Sequence, residues 1–374
     1  MMDRFSEIRN FLENIVNTAY YKAEQTSINN LNDDYLRITF SYLDNETLLS
    51  ENFQLVCKRW FLLSNRLIYC RPKLSLFCGS PQKSNENGAV SINNSIFSLA
   101  QALYFSDSVV DDLVLSSTHE SRYPFSDQLF ETITSLCPNL VKLTLDNFVR
   151  LWTDKPEEIP FSFPNNLQEL SIKHIWLKEN TLDCILKLNN VTLQKLILVR
   201  CGLIRGSSIT ENLAECHLKI IDLSFCGRIH SSVVSSIFRN YNESLEELHF
   251  SSSHIEEAIP SELIMKKLRS VTLYELYQFG CVIPAHDDDV MWSYFRAMKN
   301  VEVLSILTFD SPLFRMENPS KYFDYLGKIK TLKKLKELTL PVEPLRHGMF
   351  GDNSIMQELR SAGVKIRINT DRIY

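Results

Sequence analysis

The sequence predicts an α/β chain in two parts. A small helical module lies near the N-terminus, and an array of short strands alternating with helices follows it. Three observations lead there. Apolar residues cluster at helical spacing between residues 31 and 63. The spacing L-x-x-L-x-L then returns nine times after residue 110. Each strand-plus-helix unit is too small to close a core alone, so neighbours must stack, and the core grows lengthwise.

Composition narrows the function. A chain of 374 residues with 44% hydrophobic and 23% charged residues is ordinary for a folded protein. A net charge of −5 gives no electrostatic reason to expect nucleic acid. No apolar run reaches the length of a bilayer span, and Met1-Met2-Asp3-Arg4 breaks into charges too soon for a secretory signal, so no membrane role is expected. The nine cysteines form no C-x-x-C pair and read as reduced packing residues of a cytoplasmic or nuclear protein.

The elements follow in order. Phe5, Ile8, Leu12, Ile15 and Ala19 share one helix face, an amphipathic helix within residues 1–26. Leu36, Phe40 and Leu43 stand at i, i+4 and i+7 on a second helix, which Asn32 or Asp33 caps. Phe53, Val56, Trp60 and Leu63 make a third stripe. Residues 79–95, rich in Gly, Ser and Asn, read as a surface loop.

The repeats begin at Val110, Leu140, Leu167, Leu193, Leu218, Leu245, Leu268, Val301 and Leu335. The central intervals of 23–27 residues fall in the leucine-rich-repeat range of roughly 20–29. Positions four and six of each segment share one face of a strand, because side chains alternate, and position one enters from the preceding turn. Helical stretches are expected at Ser126–Cys137, Ser232–Tyr241, Asp289–Met298 and Tyr322–Leu332. Gly363-Val-Lys-Ile-Arg-Ile368 alternates once more as a terminal strand.

Leu198-Val-Arg-Cys201-Gly202, Leu223-Ser-Phe-Cys226-Gly227 and Cys137-Pro-Asn-Leu140 resemble the cysteine-containing leucine-rich repeat. The helical module resembles an F-box, most specifically in Val56-Cys-Lys-Arg-Trp60, with Leu31, Phe40, Tyr42 and Leu43 in support. Asn32 stands where that family usually has Pro, and Thr39 where it has Ile. The resemblance implies a three-helix F-box at 27–72, a connecting segment or first irregular repeat at 73–109, and a repeat domain with a C-terminal cap at 110–374. It implies strands on the concave side and helices on the convex side. It also implies that Leu31, Leu36, Phe40, Tyr42, Leu43, Val56 and Trp60 dock on a Skp-family adaptor, which bridges to a cullin scaffold. The chain would then be the substrate-recognition subunit of an SCF-type ubiquitin ligase. The alternative is a ligase-independent repeat scaffold with a drifted F-box.

Register singles out a face for the target protein. Third, fifth and seventh positions point away from the core, and apolar members gather near repeats three and four. Ile197, Val199, Ile220, Asp222, His249 and Tyr274 are the candidate partner contacts. Catalytic and metal signatures are weak. Neither a glycine-rich phosphate loop nor H-E-x-x-H is present, and His286-Asp-Asp-Asp289 reads as a solvated helix start. His249, Asp222 and Cys226 invite a nucleophile, but repeats bring such types together without chemistry. The expectation is a binding protein with no enzymatic activity, cofactor or metal.

Overall fold

The structure is a computed structural model. It describes residues 65, 69, 73–78, 90–92, 96–106, 109–117, 126–148, 150–151, 163–251, 254–255, 257–275, 288–308, 327, 329–341 and 354–369. The stretch 1–64, with the F-box candidates Leu31, Leu36, Phe40, Tyr42, Leu43, Val56 and Trp60, lies outside the described residues. The chain is α/β and divides into two compact units, Met1–Leu167 and Gln168–Tyr374.

The first unit carries β1 (Lys73–Cys78), β2 (Val90–Ile92), α1 (Ile96–Phe105), β3 (Asp112–Ser117), α2 (Ser126–Leu136), β4 (Lys142–Asp146) and the short β5 (Arg150–Leu151). Its strands run parallel in the order β2-β1-β3-β4. Leu74 and Leu76 pair with Leu113 and Leu115, which pair in turn with Leu143 and Leu145, and all six are fully buried. Thus β1 repeats the strand pattern inside the connecting segment 73–109, with Cys78 as its third buried residue. β2 falls where a loop is expected, because Val90 and Ile92 extend the edge of β1.

The second unit carries β6 (Glu169–Lys173), β7 (Trp176–Leu177), α3 (Glu179–Leu188), β8 (Lys195–Val199), α4 (Ser207–Asn212) and β9 (Ile220–Asp222). It continues with α5 (Ser231–Asn240), β10 (Glu247–Ser251), β11 (Ser270–Glu275), α6 (Asp288–Ala297), β12 (Val303–Thr308), β13 (Glu337–Pro341), α7 (Ser354–Ser361) and β14 (Lys365–Asn369). Strands β6, β8, β9, β10, β11, β12, β13 and β14 are neighbours in sequence order and parallel throughout.

The leucine spacing explains this order. Positions one, four and six of every segment from Leu167 to Leu340 are at most 7% exposed, so the pattern read as inward is inward. Each unit of chain places one more rung against the last, about 4.8 Å on. The backbone repeats the arrangement. The amides of positions two and three both donate to the position-two carbonyl of the preceding rung, as Gln194 and Lys195 do to Gln168, at 2.8 and 3.0 Å. Lys219 and Ile220 bond to Gln194 in the same way, and Glu246 and Glu247 to Lys219.

The helices bury one side. α3 buries Thr181, Leu182, Ile185 and Leu186, and α5 buries Val233, Val234, Ile237 and Phe238 at the same helical spacing. Phe238 meets Tyr294 of α6 edge-on, with ring centres 4.9 Å apart, and lies 6.4 Å from Phe250 of β10. α6 begins at Asp288, so the acidic run there does start a helix. α7 ends at a glycine with φ +85°. The amide of Gly363 bonds the Arg360 carbonyl and that of Val364 the Leu359 carbonyl, a closure that turns the chain into β14. Tyr322–Leu332 lies largely outside the described residues. Among the described residues no helix is long and apolar enough to cross a membrane.

Candidate functional site

The register places the fifth positions in single file. Ser171, Ile197, Asp222, His249, Thr272, Ser305 and Thr339 pair rung by rung. Ile197, Asp222 and His249 therefore do come together on adjacent strands, each half-buried. Ile220 sits at position three between Lys195 and Glu247. Val199 and Tyr274 occupy position seven, three rungs apart with β9 and β10 between them. Four members of these columns are not open: Ser171, Thr272, Ser224 and Ser251 are at most 9% exposed. Small side chains between larger neighbours are roofed over.

The next position explains the roof. Asn147, His174, Arg200 and Phe225 all adopt left-handed backbone, with φ between 54° and 64°, and all follow position seven. The turn is held from the neighbouring rung: the His174 amide donates to the Val199 carbonyl at 2.8 Å, and the Arg200 amide to that of Ser224 at 2.9 Å. A left-handed non-glycine residue is costly, so the surrounding structure must impose it. Here it re-aims the side chain. Phe225 lies 4.6 Å from the Tyr274 ring, across the buried Ser251, and the Arg200 guanidinium stands 5.3 Å from the Phe225 ring centre. A patch of guanidinium, phenyl and phenol results beside Ile197 and Val199.

Its polar groups are organised. The Asp222 carboxylate accepts the Ser224 amide at 2.9 Å and also its hydroxyl. Burial pushes the Tyr274 phenol upward, partly offset by its hydrogen bond with Ser224. His249 Nε2 lies 2.6 Å from a Glu247 carboxylate oxygen, one rung from Asp222.

Position nine points the other way. Phe148, Ile175, Cys201 and Cys226 are all at most 1% exposed. The Cys201 thiol donates to the Ile172 carbonyl at 3.4 Å, and that of Cys226 to the Leu198 carbonyl at 3.1 Å. Each cysteine thus satisfies the position-six carbonyl of the rung before. Contact with the Cys226 thiol and burial push the Cys201 thiol well above its ordinary range, and burial pushes Cys216 up to about 11. Buried in this way, Cys201, Cys216 and Cys226 suit the packing role of small apolar residues. Cys226 faces the core rather than His249. Among the described residues no cluster of His, Cys, Asp or Glu could hold a metal ion.

Phe225 is the site residue that sequence reasoning missed, and with it the pairing of Arg200 to an aromatic ring. Left-handed backbone is legible where glycine or asparagine marks it, as at Asn147, and neither Arg nor Phe does so. What the arrangement can do is bind: rigid aromatic area, an adjacent cation and satisfied polar groups suit a protein surface. In comparison with known proteins, the chain matches no family model and no curated sequence.

Proposed function

We propose that this chain is a substrate-recognition subunit of an SCF-type ubiquitin ligase. In this reading residues 27–72 form an F-box that docks a Skp-family adaptor and through it a cullin, while a leucine-rich-repeat solenoid holds the target. The observation that carries the target-binding half is the patch of Arg200, Phe225 and Tyr274, with Ile197 and Val199 beside it, on one strand face. Aromatic and arginine side chains are the residues that dominate binding energy at protein interfaces. The docking half rests on Leu36, Phe40, Val56 and Trp60 at their F-box-like spacing. No bond is made or broken on this polypeptide; it contributes proximity, by tethering a target near ubiquitin carried on another subunit. The compartment that fits is cytoplasmic or nuclear.

The test is a pulldown of the full chain with purified Skp-family adaptor, beside a Leu36→Asp, Trp60→Ala variant. Stoichiometric capture that the variant loses while its thermal midpoint holds is the expected result. Equal capture by both overturns the docking assignment. Asn32 and Thr39, which depart from the F-box pattern, favour a second reading, a ligase-independent scaffold. Absence of adaptor binding by the native chain would select it.

A further inference from the structure

We propose that the sheet edge formed by the turns entering β11, β12 and β13 is a docking rail for an acidic polypeptide segment. The observation is a charge pattern that only the register reveals. Residues 266–269, 299–302 and 333–336 lie in step, because the Glu302 amide donates to the Arg269 carbonyl and the Lys336 amide to that of Glu302, both at 2.8 Å.

The three turns make parallel lines of side chains. In the inner line Glu302 lies between two cations and bonds both, Arg269 at 3.1 Å and Lys336 at 2.6 Å. Lys336 is the main reason its carboxyl is held below the usual range. The outer lines have the same cationic flanks, Lys267 with Lys334 and Lys266 with Lys333, but no acid in the middle. The middle members are Asn300 and Lys299. Asn300 offers Lys334 only a neutral oxygen, at 2.8 Å. Lys266 finds Glu243 at 2.5 Å, on the side away from the row. Lys267, Lys299 and Lys333 are exposed, and no described carboxylate pairs with them.

Rungs are about 4.8 Å apart, inside the screening length of about 8 Å at physiological salt, so these ammonium groups repel one another. The accumulation runs against a chain whose net charge is −5. The inner line shows what answers it: a carboxylate seated between cations of adjacent rungs. A partner bearing several carboxylates would complete the outer lines in the same manner. The intervening apolar residues Leu268, Val301 and Leu335 are buried, so the rail offers neither an aromatic platform for bases nor an apolar anchor for a bilayer. That favours an Asp/Glu-rich segment over single-stranded RNA or an anionic membrane.

The experiment uses the full chain and a fluorescein-labelled peptide of alternating Glu and Ser, followed by anisotropy at about 50 mM and about 150 mM salt. Binding that weakens with salt is expected, with a loss of roughly tenfold or more in Lys299→Glu, Lys333→Glu. The milder Lys299→Gln, Lys333→Gln pair should lose less, and a charge-matched control, Lys187→Glu with Arg228→Glu, should lose nothing. Thermal midpoints identify any variant that fails to fold, and the glutamine pair then decides. No binding at the lower salt, or equal loss in the control, overturns the proposal. Tighter binding of oligouridylate or phosphatidylserine vesicles than of the peptide overturns the partner class. A Tyr274→Ala or Leu36→Asp variant leaves the rail intact, so its outcome is separable from that of the function proposed above.

Discussion

The two faces of the strands in residues 169–275 obey different rules. Inward, positions four and six hold only Leu, Ile, Val or Phe, all at most 5% exposed. Outward, the fifth positions hold Ser171, Ile197, Asp222, His249 and Thr272 in one file, and in that file no residue type recurs between neighbours. Stacking explains the first face: each rung must fit the identical slot left by the previous one, at interior packing density. Nothing imposes uniformity on the second face. The lesson is a separation of labour within single strands, with architecture on one side and, in the proposed function, recognition on the other.

The sharpest way to break the comparison is to treat the two faces alike. Phe250→Ala empties a fully buried site beside Phe238 and should cost about 3–5 kcal/mol, read from urea unfolding. Gly206→Ala comes next. Gly206 has φ +85°, and an added Cβ would approach Ile229 Cδ1 to 3.0 Å, so a loss of about 1–3 kcal/mol is expected. Gly202 has open space around it and no left-handed backbone; its alanine variant should change stability by less than about 0.5 kcal/mol.

On the outer face the expectation reverses. Tyr274→Ala removes a half-buried ring from its contact with Phe225 and should cost only about 0.5–1.5 kcal/mol. Capture of a target protein should nevertheless fall sharply. A large stability loss with capture unchanged would show that the patch is core in disguise.

The smallest effect appears only in acid. Glu179 receives the amides of Arg205, Gly206 and Ser208 at 2.5, 3.2 and 3.0 Å, and the hydroxyls of Ser207 and Ser208. Burial alone would raise its carboxyl, but the bonds from Ser208, Arg205 and Gly206 outweigh it and the net shift is downward. A carboxylate depressed on folding stabilises the native state above its unfolded value, and that contribution disappears as pH falls through the folded value. Glu179→Gln should therefore reduce the thermal midpoint at neutral pH and flatten its decline below about pH 4.3. A parallel decline in both proteins would remove Glu179 from the account.

Much of the inner face is legible in the residues themselves. Apolar spacing reads positions one, four and six correctly from Leu167 to Leu340, and with them the file of fifth positions. The outer face is less legible, because its geometry depends on backbone that neighbouring rungs impose. Nothing in Arg200 or Phe225 announces φ near +55° or +60°, so the tilted ring contact of Phe225 with Tyr274 stays hidden. Ser224 and Ser251 face outward in sequence, yet they are buried because larger residues lie over them. The lysines at 266–267 and 333–334 are visible as separate dipeptides; only the pairing of rungs lines them up.

The one-sided position of β14 has a consequence for dynamics. Among the described residues it pairs with β13 alone, and its Ile366 and Ile368 are only half-buried where inner rungs seal theirs. A rung with one neighbour has about half the interface holding it closed. Amide exchange should therefore form a gradient, fastest at Lys365–Asn369 and slowest around β9 and β10. The aromatic patch would sit at the quiet end of that gradient as a preformed surface. The lysine turns lie toward the end that opens most often, where a bound partner would also slow the fraying.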